Sequence, residues 1–149
     1  MSFLEPTLEN FQKYVSKLTS NSKAEWGTMS SQRMIEHLSD WVDLVLTKGG
    51  ELLIPEDKVP KAKAFLFSEH PLPRNFKVKF LPPELDVRNN NLEEAIKEFE
   101  QKWAGFEQFY KENPSHITMH PNFGDLDYKH VLALHSKHLT HHFEQFNLI

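Results

Sequence analysis

One segment limits the fold of this chain more than any other. Between Asn91 and Pro114 the apolar residues Leu92, Ile96, Phe99, Trp103, Phe106 and Tyr110 recur at intervals of three or four. Only a helix lays that spacing along a single face, so the stretch must form a long amphipathic helix that buries its stripe against a partner. Asn91 followed by Glu94 has the spacing of a capping box, and Pro114 closes the far end.

Three other segments share this periodicity. Leu8, Phe11, Val15 and Leu18 follow Thr7, a good N-cap, and their helix ends at Asn21-Ser22. A second helix starts after Met29-Ser30, carries Met34, Leu38, Trp41 and Val45 on one face, and stops at Gly49-Gly50. The last starts near Asp127, with the stripe Leu132, His135, Leu139, His142 and Phe146. About forty residues between the second and third helices contain Pro55, Pro60, Pro71, Pro73, Pro82 and Pro83, too many for one regular element. A short helix near Lys61 to Ser68 fits there, and Phe76, Val78 and Phe80 alternate as in a strand. The expected fold is all-α: a four-helix bundle with a long, ordered, proline-rich crossover between helices two and three.

The length of 149 residues suits one domain spanning 1–149, and 39% hydrophobic content with twelve phenylalanines can offset the entropy of ordering it. A formal charge of −4 supplies no footprint for a phosphate backbone, which argues against nucleic acid as a partner. The chain starts without a secretory signal and has no apolar run of membrane-spanning length, so a cytoplasmic protein with no membrane insertion is expected. There is no cysteine, so a bound metal would have to be held by nitrogen and oxygen.

Nine histidines make the metal question concrete, because His130, His135, His138, His141 and His142 fall in the last helix. At 100° per residue, His135, His138 and His142 project within about 60° of one another, at the edge of the apolar stripe. His138 and His142, four apart, stack two imidazoles one turn apart and can share an ion. A third ligand should come from another helix, and His37 sits beside the core on the Met34/Leu38/Trp41/Leu44 side of helix two. Three neutral imidazoles leave a coordination position open, as catalytic metal sites do. Asp40 and Asp43 lie off the stripe and read as solvated unless one orients an imidazole; Glu36 and Glu144 read the same way. Trp41 and Trp103 read as core. His120-Pro-Asn-Phe-Gly124 reads first as a turn, with His120 at the mouth of the site as the alternative.

These residues together resemble a known superfamily. The run from Trp26 through Met34-Ile-Glu-His37-Leu38, the turn His120-Pro-Asn-Phe-Gly124, and His135-Ser-Lys-His138-Leu-Thr-His-His142-Phe-Glu-Gln145-Phe146 are similar to the DinB-like metal-binding four-helix bundles, over nearly the whole chain. The likeness is greatest to the branch with a His-Pro-x-Phe-Gly turn before the last helix. The resemblance implies that His37, His138 and His142 bind a divalent ion such as zinc or nickel, with Gln145 matching the glutamine that commonly follows. The frequent His-Arg-Gly-Gln ending of that superfamily is His142-Phe-Glu-Gln145 here. Characterised members include thiol-dependent transferases and a maleylpyruvate isomerase. By likeness, the ion would activate a low-molecular-weight thiol, or water, against a small-molecule electrophile. His135 and His120 would then be candidate helpers: His135 as a group that supports a ligand without touching the metal, as substrate contact or as alternative ligand, and His120 as acid/base or substrate contact. A non-catalytic bundle that holds a metal or small ligand, and a homodimer formed through a bundle face, are both compatible with the same residues.

Overall fold

The computed structural model describes residues 2–47, 49–74 and 86–149. Among these the chain is mostly helical: α1 (Leu8–Val15), α2 (Ser31–Val45), α3 (Val59–Leu66), α4 (Leu92–Glu112), a hairpin of β1 (Thr118–His120) and β2 (Gly124–Leu126), and α5 (Tyr128–Gln145). The hairpin amends the all-α expectation. No described helix is long and apolar enough to cross a membrane. The alternating Phe76, Val78 and Phe80, with Pro82 and Pro83, lie outside the described residues.

Four helix starts were legible because each is capped by a side-chain oxygen that satisfies an otherwise unpaired N–H. Thr7, Ser30, Asn91 and Asp127 accept from the backbone N–H of Asn10, Arg33, Glu94 and His130. Their ends were less legible. Helix α1 stops at Val15 rather than at Asn21, although Leu18 stays buried. Helix α2 stops at Val45, before the glycines. Gly49 serves another purpose: its φ is +89°, it bridges to Met119, and a Cβ there would collide with the Met119 backbone. Helix α3 is the short helix of the crossover, starting two residues earlier than Lys61, with Pro60 in its first turn.

Helix α2 packs chiefly on α4 and also on α5 and β1. Phe11 of α1 stacks on Phe99 of α4 at 4.1 Å between ring centroids and tilts against Phe143 of α5 at 6.1 Å, which ties α1 to both. In α4 the stripe is buried as expected, except that Ala95 rather than Ile96 is fully enclosed.

Helix α5 departs from a one-faced reading. Val131, Leu134, Lys137, Thr140 and Phe143 are buried as well as His135, His138 and His142, whereas Leu132 is only half-buried. The chain before α1 lies along its outer side, where Ser136 Oγ donates to Leu4 O (2.7 Å) and Leu4 N to Thr140 Oγ1 (2.9 Å). Lys137 is covered by Phe3 and Phe65, and its ammonium group donates to the carbonyl oxygens of Ser68 and His70. A helix covered on most sides is a rigid base for a site, because its side chains have few alternative rotamers.

Candidate metal centre

Helices α2 and α5 bring His37, His138 and His142 together. One nitrogen of each lies within 4.8 Å of the others, although His37 and His138 are 101 residues apart. His138 Nε2 is 3.0 Å from His37 Nε2 and 3.1 Å from His142 Nε2. Metal–nitrogen bonds of about 2.0–2.1 Å at tetrahedral angles would set ligand nitrogens roughly 3.3 Å apart, close to the two distances at His138. Among the described residues no other group of three or more histidine or acidic side chains meets the same condition.

Protons make the same point. Gln145 Nε2 donates to Trp26 O at 2.9 Å, so its Oε1 is the atom facing His142 Nδ1 at 2.7 Å. His142 therefore carries its proton on Nδ1 and turns the Nε2 lone pair to the centre. His138 Nε2 can hold one proton at most and faces two nitrogens. At least one of these close approaches therefore lacks a full hydrogen bond, and a cation between the rings would remove the conflict.

The surroundings keep the imidazoles neutral. Burial, with Arg33 and His141 adding less, pushes His37 down to about 3. Burial first, and then the neighbouring histidines, hold His138 and His142 well below the ordinary histidine range. Neutral imidazole is the form that binds a metal. The ring of His138 is stacked on Trp41, 3.9 Å between centroids and 23° from parallel. Trp41 is core, as expected, and it also fixes a candidate ligand.

The other candidates separate clearly. His135 is not in the cluster: it is 2% exposed, set edge-on against Trp103 and Phe106 at 5.3 and 5.1 Å, and pushed down to about 3 by burial, with His120 adding less. His120 ends β1, opposite Gly124. Its Nδ1 accepts from Asn122 N at 3.1 Å, and it is buried rather than open at a mouth. The turn reading of that motif describes the hairpin, and Gly124 has a φ of +79°, which glycine adopts without strain. His141 is half-buried beside Trp26, 5.5 Å between centroids. His130 belongs to the α5 cap, 2.6 Å from Asp127.

Glu36 requires a correction, because it is fully buried rather than solvated. Its carboxylate accepts from Arg88 N (2.8 Å), Asn89 N (3.0 Å), Asn89 Nδ2 (3.1 Å) and Gln32 Nε2 (3.1 Å). No local pattern announces this, since Arg88 and Asn89 are 52 and 53 residues away. Asp40 pairs with Arg33 (3.0 Å) and Arg88 (2.9 Å), and Asp43 pairs with Lys102. None of these three carboxylates bonds an imidazole of the cluster.

The fold and the site thus define a mostly helical protein with three histidines placed closely enough to hold a metal ion. No family model, curated protein or solved structure matches the chain.

Proposed function

We propose that this is a four-helix bundle of the DinB-like kind, in which His37, His138 and His142 hold one divalent ion, zinc or nickel, for chemistry on a small molecule. The observation that carries the reading is the meeting of three imidazole nitrogens inside 4.8 Å from two separate helices. The sequence resemblance supports it, since it points to the same three residues.

The chain's own groups do most of the preparation. Burial keeps the ligands unprotonated, Gln145 fixes the tautomer of His142, and Trp41 limits the rotation of His138. His37 is less enclosed than the other two, which makes its side the approach for a substrate. An ion with three neutral ligands keeps a position open and would supply Lewis acidity to a thiol or water brought beside it. The reaction class we favour is thiol transfer or hydrolysis at a small electrophile.

Burial of His138 and His142, at 3% and 5% exposure, favours a second reading, a metal that staples α2 to α5 without catalysis. Metal analysis of the full chain, purified without an affinity tag, tests the shared claim. About one ion per chain is expected, and retention of none would end both readings. Turnover of an electrophilic substrate with added thiol, lost on chelation, would separate the first from the second.

A further inference from the structure

His135 lies on the same helix as His138, one turn before it, with a polar atom enclosed in an apolar setting. Its Nε2 is buried without a hydrogen-bond partner, and a buried polar nitrogen in that condition is costly. Its ring lines a cavity of about 10 Å³, walled by Leu38, Val42, Phe99 and Leu139 and also by His138. That is the room one water occupies, provided that it finds at least two polar partners.

His138, which lines the same cavity, is the candidate second partner. Its Nε2 is turned to His37 and His142, so the nitrogen it can offer to the cavity is Nδ1. Binding a metal through Nε2 requires the proton of neutral His138 to sit on Nδ1. We infer that one water in this cavity accepts from His138 Nδ1–H and donates to His135 Nε2, which makes His135 a positioning residue for the centre. Through that water, His135 does for His138 what Gln145 does directly for His142: it fixes the tautomer and aims the lone pair. The role rests on the metal reading above, and it accounts for a third histidine on the inner side of α5 that lies outside the cluster.

The test uses the full chain with cobalt(II) as probe, titrated against a chelator, and compares His135→Leu with His135→Gln. Leucine fills similar space without a polar atom, while glutamine puts a polar group near the position of Nε2. Cobalt affinity is expected to fall about tenfold or more in the leucine variant and to recover in the glutamine variant. The visible spectrum of bound cobalt should shift only in the former, whose metal-free melting temperature should be equal or higher. Wild-type cobalt affinity in His135→Leu would overturn the role, as would equal losses in both variants with lowered melting temperatures. Should the leucine variant fail to fold, a high-resolution crystal structure of the wild type decides the matter. A water within hydrogen-bond distance of both nitrogens supports the role, and an empty cavity overturns it. A wild-type chain that takes up no cobalt refutes the metal reading itself, a result distinct from loss of the effect at residue 135.

Discussion

Glu36 and His37 are neighbours on α2, and both place polar atoms in the interior, yet their situations are opposite. Glu36 meets only donors: two backbone N–H groups, an asparagine amide and a glutamine amide. Although burial alone would raise it, these donors hold its carboxyl below the ordinary range. His37 meets His138, a group of its own kind, at 3.0 Å. A buried polar group with all its partners in the chain is a fastening, here of residues 88–89 to α2. One set among groups of its own kind that cannot all be satisfied together is a candidate site, because a cation placed between them would satisfy them all.

The strongest way to break this contrast is Glu36→Ala. It strands buried donors opposite a charge partner, Arg33, and should cost about 3–5 kcal/mol of unfolding free energy in urea, with metal uptake retained by the folded fraction. A loss under about 1 kcal/mol would mean that the carboxylate fastens nothing.

His138→Ala attacks the other side of the comparison. Losing one of three ligands should weaken zinc or cobalt binding by roughly a hundredfold, about 3 kcal/mol, as read by chelator competition. Gln145→Ala frees the tautomer of His142 and should cost about tenfold in the same assay. An unchanged affinity there would remove Gln145 from the site.

Acid probes the metal-free protein. His135 has a folded pKa of about 3 against an ordinary 6.5, so between these values the unfolded chain binds a proton that the folded chain refuses. Its contribution to stability is therefore complete above pH 6.5 and declines as pH falls, by about 1.4 kcal/mol per pH unit. His37, with a folded pKa also of about 3, adds in the same direction. Urea midpoints that stay level from pH 7 to 5 would contradict the burial of both. The smallest effect is expected for His37→Leu without metal, under about 1 kcal/mol, since an apolar side chain there removes a poorly matched polar contact. A large loss would show that His37, like Glu36, is a fastening.

These contrasts bear on how much the chain disclosed in advance. The caps at Thr7, Ser30, Asn91 and Asp127 and the stripe of α4 were readable because both depend on residues within a few positions of each other. The His138–His142 pair was readable for the same reason, one turn of helix. His37 could be nominated from its place beside the apolar face of α2, but its meeting with the pair depends on how two helices pack. The burial of Glu36 is not legible locally because the backbone donors that enclose it, Arg88 and Asn89, lie more than fifty residues away, and the hairpin is hard to tell from a bare turn because its strands are only three residues each.

Local spacing by itself determined the helices, their starts and the pair of imidazoles on α5, since these follow from the 3.6-residue repeat and from short-range capping. Tertiary structure alone decided that residue 37 closes the triangle, that Trp41 stacks on His138, that Gln145 reaches the carbonyl of Trp26, and that Glu36 is enclosed. Each of those depends on distances between segments remote in the chain, which no periodicity encodes and only the packing of one helix on another can set.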